Sequence, residues 1–96
     1  MAEYSLTHRA VSDRESIAEY TIKQFGLAQA RHYRDSHKSC IEQLADNPQI
    51  GQGAEQLAHG LKRFNHQSHV IFYVQKTDGL LIVRILHSRM DVPRHF

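Results

Sequence analysis

An α+β fold of two layers is what this sequence predicts, on three observations. Two long segments in the first half place apolar residues at three- and four-residue spacing, as helices with one buried stripe do. Two runs of β-branched and aromatic residues, 68–75 and 80–87, flank Lys76-Thr77-Asp78-Gly79. Asp-Gly is a favoured hairpin pair because glycine accepts positive φ at little steric cost. A short opening stretch, Tyr4-Ser5-Leu6-Thr7, alternates apolar and polar residues as a strand does.

The elements follow in chain order. Tyr4 and Leu6 share one face of the opening strand. Thr7 is a candidate N-cap, since its hydroxyl can accept from an otherwise unpaired backbone N–H. From His8 to Phe25 the residues Ala10, Val11, Ile17, Ala18, Thr21, Ile22 and Phe25 form a stripe expected to be buried, and Gly26 closes the helix. A second helix is expected over about residues 28–45, with Ala30, Tyr33, His37, Cys40, Ile41 and Leu44 on one face. Asn47-Pro48 ends it, because the residue before proline is pushed out of the α region. The near-direct junction makes the two helices an antiparallel hairpin. Residues 49–60 hold three glycines and read as an irregular connection with at most a helical turn near residues 55–59. Strands over 61–66, 68–75 and 80–87 then form a meander.

Connectivity arranges these pieces. The third and fourth strands are nearly continuous apolar runs, which suits strands covered on both sides. Setting the first strand beside the fourth buries the fourth and gives the sheet order 1-4-3-2, expected to be antiparallel throughout. The helical hairpin covers one face of this sheet and the other face stays partly open.

At 96 residues the chain is read as a single domain, residues 1–96, able to bury roughly two-thirds of its unfolded surface. It shows no basic and apolar leader pattern, and no run near the ~18 apolar residues of a membrane span, so no membrane partner is expected. One cysteine excludes an intramolecular disulfide and suits a reducing cytoplasm. A formal charge of +2 is a thin footing for nucleic-acid binding. There is also no helix dense in Arg and Lys, so direct sequence-specific nucleic-acid recognition is not expected.

Candidate chemistry lies mostly in the last third. Strand alternation turns Leu81, Val83 and Ile85 toward the helices and Ile82, Arg84 and Leu86 to the open face, with His87 back on the covered side. An arginine between Ile and Leu in mid-strand is either a structural charge or part of a working surface. Lys62 and His66 share a face, while Arg63 takes the opposite one. With Arg84 they form the candidate functional surface. Eight histidines raise the question of a metal, but none falls in a recognised ligand spacing. His66 and His69 straddle a strand boundary, and His32 and His37 lie roughly 140° apart around a helix. Cys40 falls on a buried helix face, where a thiol is inert. No metal and no cofactor is expected.

The ordered string over residues 60–91, with its basic-aromatic lead-in, His-Val-Ile-Phe-Tyr strand and Arg-Ile-Leu-His strand, resembles the ParE toxins of bacterial type II toxin–antitoxin modules. The resemblance extends to Tyr4-Ser5-Leu6-Thr7, Ala10, Tyr20-Thr21, Phe25-Gly26, Tyr33, Asn47-Pro48 and Ile50-Gly51. Two positions depart from the family pattern. Arg14 stands where an apolar residue is usual and Asn65 where proline is common. The RelE/ParE superfamily has the same β-α-α-β-β-β plan.

That resemblance implies a toxin that poisons DNA gyrase by stabilising its cleaved DNA complex, is neutralised by a ParD-like antitoxin, and is not itself an enzyme. It ties target binding to the C-terminal tail, here Arg89, Met90, Asp91, Val92, Pro93, Arg94, His95 and Phe96. Met90, Val92 and Phe96 are apolar residues that a merely solvated tail has little reason to carry. Two alternatives stand beside it. One is a ribosome-dependent messenger RNA endoribonuclease of the RelE type, for which Lys62, Arg63, His66, Arg84, His87, Arg89 and His95 supply acids, bases and cations. The other is a small nucleic-acid-binding module.

Overall fold

The computed structural model describes residues 3–90 and 92–96. Strand β1 (Tyr4–Leu6) leads through Thr7 into helix α1 (His8–Phe25), and Gly26 alone separates α1 from α2 (Leu27–Asp46). A 3₁₀ turn (Pro48–Ile50) and a two-residue strand β2 (Gln52–Gly53) precede the meander β3 (Lys62–His66), β4 (His69–Lys76) and β5 (Gly79–His87), and a second 3₁₀ turn covers Val92–His95.

Local chemistry accounts for the helix ends. The Thr7 hydroxyl accepts from the Ala10 N–H at 3.1 Å, as an N-cap does, and donates to the Val83 carbonyl at 2.7 Å. One residue thus caps α1 and fastens it to β5. Gly26 at φ +91° lets the chain leave α1 and start α2 with no intervening loop. Its N–H donates to the Ile22 carbonyl and its own carbonyl accepts from Ala30, so it serves both helices.

The sheet has the order β1-β5-β4-β3-β2. The expected order of four strands survives inside it, with two corrections. A fifth strand, β2, pairs with Lys62 and Arg63 of β3, where only irregular chain was expected; two residues carry no readable period. More important, β1 runs parallel to β5, with Tyr4 opposite Leu80 and Leu6 opposite Ile82, so the sheet is mixed and not antiparallel throughout. The reason is tertiary. This direction delivers Thr7 and the first turns of α1 to the Val83–Arg84 end of β5; the reverse would leave them at the turn before Gly79.

The β4–β5 turn shows a similar difference. Its loop is Thr77-Asp78, and Gly79 already pairs with Lys76. A Cβ at Gly79 would collide with the Glu3 carbonyl, which accepts from Leu80 N–H at 3.0 Å. The glycine is needed for the close approach of β1 as well as for its φ of +143°.

Two clusters flank the sheet. On the helix side Cys40, Ile41, Leu44 and Ala45 pack on Ile71, Tyr73, Leu80, Ile82 and Ile85. The second face is more covered than expected: Ala54, Leu61, Val70, Phe72 and Leu86 form a core of their own, with Leu57, Val83 and Val92 against it. The register of β4 on β5 shifts between Phe72 and Tyr73, which pair with Arg84 and Ile82 and leave Val83 as an extra residue. This bulge corrects the expected phase of β5. Ile82 faces the helices and Val83 the second face, while Ile85 toward the helices and Leu86 away from them agree with simple alternation. No helix is long and apolar enough to cross a membrane among the described residues.

Candidate functional site

The tail begins where β5 ends, and it is docked. Ser88 N–H donates to the Ser68 carbonyl, Met90 N–H to the His87 carbonyl, and Arg89 N–H to His87 Nδ1 at 3.1 Å. Residues 92–95 then form their 3₁₀ turn on the second face of the sheet, with Val92 against the cluster there. The Phe96 ring meets Phe72 edge-on, centroids 4.9 Å apart, and the Arg63 guanidinium lies 5.5 Å from the same Phe72 ring. Met90, Pro93 and Arg94 are exposed, and Phe96 keeps 39% of its surface in solvent. Asp91 lies outside the described residues.

Arg84 joins this segment to the rest of the fold. Its Nε and Nη2 donate to the two carboxylate oxygens of Asp13 at 2.8 and 2.9 Å, a bidentate pair whose side chains are 13% and 14% exposed. The Ile85 N–H, on the β5 edge that β1 is too short to cover, donates to the same carboxylate at 3.0 Å. Arg84 Nη1 is left to donate to the His95 carbonyl at 3.2 Å. The Asp13 hydrogen bonds hold the guanidinium charged, raising its pKa further.

Lys62 and His66 stand on the other face of the sheet, away from Arg84. Lys62 pairs with Tyr73 and Gly53 in the ladder, and His66 lies under α2. There a cluster forms that the sequence reading did not assemble. Tyr33 stacks on His37 with centroids 5.8 Å apart, His37 lies 5.5 Å from His66, and His69 lies 5.5 Å from His87. The Tyr33 hydroxyl contacts His69 Nδ1 at 2.6 Å, and Ser36 Oγ lies 3.4 Å from His66 Nε2. Burial, with His66, His69 and Arg14 adding repulsion, pushes His37 down to about 4. Burial lowers His66 and His69 as well, and raises the Tyr33 phenol to about 12. At neutral pH His37, His66 and His69 are therefore neutral. Lys62 and His66 lie on the helix side of the sheet and Arg84 on the second face, so the three do not converge on a reacting group. Among the described residues no set of three or more His, Cys, Asp or Glu is placed to hold a metal ion.

A third feature is the hairpin itself. Of the stripe expected to be buried on α1, only Ala10 is; Ile22 and Phe25 are 44% and 66% exposed, and Leu27 at the start of α2 joins them. A groove of about 590 Å³ runs between the helices, lined by Ile17, Ala30, Tyr33 and Ile41 and by the charged Arg14, Glu15, Arg34, Asp35 and Lys38.

Sequence reasoning located the tail and singled out Arg84, but missed its partners. Asp13 was visible as an acid on α1, yet nothing in the one-dimensional pattern links it to a strand seventy positions on. Phe72 read as core, and only the fold shows the tail resting on it.

Residues 4–92 match the family described as ParE toxin of type II toxin-antitoxin system, parDE. The chain is 35% identical to Toxin ParE1 of Caulobacter vibrioides, covering 99% of this chain and 98% of that protein. It is 33% identical to Toxin ParE1 of Mycobacterium tuberculosis, covering 98% and 97%, and 31% identical to Toxin ParE of Escherichia coli, covering 96% and 90%. Its fold is shared with a solved structure of the chromosomal ParDE TA system from P. aeruginosa, at a TM-score of 0.77 and 17% identity over 91% of this chain and 96% of that one. From the Tyr4 strand to the docked Val92, the chain is a member of the ParE toxin family of type II toxin–antitoxin systems.

Proposed function

We propose that this ParE-family protein inhibits DNA gyrase through its C-terminal segment, and that it is an inhibitor of an enzyme, working in the cytoplasm, with no catalysis of its own. The carrying observation is the tail. It lies against the second face through Val92 and Phe96 and presents Met90, Arg94 and part of Phe96 to solvent. A docked apolar and basic surface suits a macromolecular partner, since docking lowers the entropy cost of binding.

The second partner is a ParD-like antitoxin. The hairpin groove and the exposed Ile22, Phe25 and Leu27 fit the apolar face of an amphipathic helix. The sheet edges at β1 and β2, and β3 beyond Arg63, offer unpaired backbone to an added strand. A formal charge of +2 favours an acidic antitoxin segment and a salt-dependent encounter.

The test adds purified protein, free of antitoxin, to a gyrase supercoiling reaction and in parallel to a translating ribosome extract. Supercoiling is expected to fail with cleaved DNA accumulating, and messenger RNA is expected to stay whole. Cut messenger RNA with normal supercoiling would overturn the gyrase reading and move the candidates to Lys62, His66 and the histidines beside it. A chain lacking residues 92–96 is expected to lose growth arrest and still bind antitoxin, since the deletion removes no ladder hydrogen bond. Full growth arrest by that truncated chain would remove the tail from the mechanism.

A further inference from the structure

We propose that Arg84, oriented by Asp13, is the positioning residue for the C-terminal segment: the Asp13–Arg84–His95 chain latches the tail to α1 and β5 and sets the surface it presents. This rests on the reading of the tail as the target-binding part.

The geometry is that of a prepared clamp. Asp13 spends both oxygens on the Arg84 fork and gives one of them also to the Ile85 N–H, so the carboxylate is fixed from two sides. A carboxylate so fixed orients the guanidinium plane and leaves Nη1 as the donor that reaches His95. The register shift beside Phe72 sets Arg84 opposite that ring, on the face where the tail lies. Among the described residues, the Arg84–His95 bond is the one hydrogen bond tying residues 92–96 to the rest of the chain; Val92 and Phe96 add only apolar contact. Apolar contact resists removal but fixes direction weakly. The polar bond supplies the direction. A lysine at position 84 could meet the carboxylate as a point charge, but it has no planar fork with which to hold the acid and the carbonyl together.

The experiment compares the full-length chain with Arg84→Lys, Asp13→Asn and the double variant. It measures backbone order parameters at residues 94–96, the Phe96 ring-current shift, growth arrest on induction, and supercoiling inhibition. In each single variant the tail order parameters are expected to fall below about 0.6 while those of β4 stay as in the parent. The Phe96 shift is expected to relax toward its random-coil value, and the potency of growth arrest to fall at least tenfold. The double variant is expected to be no worse than either single one, because both break one chain of contacts. A tail as rigid in Arg84→Lys as in the parent overturns the latch. So do losses of tail order that add in the double variant; a loosened tail with undiminished growth arrest instead refutes the tail's part in target binding. Should Arg84→Lys or Asp13→Asn fail to fold, Asp13→Glu keeps the charge pair and displaces its fork by one methylene. Lowered order at residues 94–96 in that variant supports the latch, and a tail as rigid as the parent's overturns it. Tail order and the Phe96 shift judge the latch, growth arrest judges the tail's part in target binding, and the supercoiling arm judges the gyrase reading, so the three can fail separately.

Discussion

The two helices of the hairpin are close in length, 18 and 20 residues, and repeat apolar residues at the same spacing, yet they bury very different shares of them. Helix α2 seats Ala30, His37, Cys40, Ile41, Leu44 and Ala45 out of solvent, while α1 so seats Ala10 alone. The α1 residues that touch the sheet layer belong to its first half, from the Thr7 cap through Asp13 to Ile17. Past Ile17 its side chains are exposed or half-exposed. Periodicity therefore reports an apolar face and is silent on what covers it. In α2 the cover is the sheet of the same chain. The second half of α1 lies beside α2 and leaves Tyr20, Ile22 and Phe25 exposed.

That contrast predicts opposite responses to substitution, the largest on α2. Leu44→Ala, at a fully buried position facing the sheet, is expected to cost about 2–5 kcal/mol of folding stability by urea denaturation. A loss below ~1 kcal/mol would mean that α2 is not the helix carrying the core.

The next effect concerns pH and centres on His37 of α2. Tyr33 from α2, His66 and His69 from the sheet, and Arg14 from α1 surround or repel His37, and both its ring nitrogens are buried without a hydrogen-bond partner among the described residues. Its folded pKa of about 4 lies below the ordinary 6.5, so the unfolded chain takes up the proton first as pH falls. Stability is then complete above pH 6.5 and drains away between about 6.5 and 4, by roughly 3 kcal/mol in all. His66 and His69, lowered in the same direction, add to the loss. His37→Phe is expected to flatten this slope by about one proton, at little cost at pH 7 because no hydrogen bond is lost. An unchanged slope in that variant would place the acid sensitivity elsewhere.

Helix α1 should give the smallest effect on stability and a separate effect on binding. Phe25→Ser is expected to move the unfolding free energy by no more than about 0.5 kcal/mol, since the ring is already in water. The same change is expected to weaken capture of a ParD-like antitoxin at least tenfold in calorimetry. Unaltered affinity would take the hairpin tip out of the antitoxin surface and leave the sheet edges as the docking site.

How much of this was legible in the sequence differs from element to element. Both helices were read to within a residue or two, because Thr7, Gly26 and Asn47-Pro48 act on their own neighbours. The meander strands were read as closely, because their runs of Val, Ile, Phe and Tyr end at turn residues. The histidine cluster was not legible: His37, His66, His69 and His87 come from a helix and three strands, and ring distances near 5.5 Å arise only once those strands are in register beneath α2. The tail was named as a candidate through a resemblance and Arg84 through its odd neighbours, and their contact was not foreseen. The Asp13–Arg84 pair spans 71 positions, and no local pattern encodes it.

By itself, then, the sequence determined the features whose physics is local: the caps, the direct helix junction, the place of the β4–β5 hairpin, and the alternation of β4. Tertiary structure alone decided three things. β1 runs parallel to β5, because a three-residue strand has too few hydrogen bonds to choose its direction and follows the docking of α1. The bulge at Val83 reversed the facing of half a strand, since one inserted residue flips a period of two. And the tail lies on Phe72 under the hand of Arg84, because only the closed fold brings an acid from the first helix, a strand arginine and the last residues of the chain to one point.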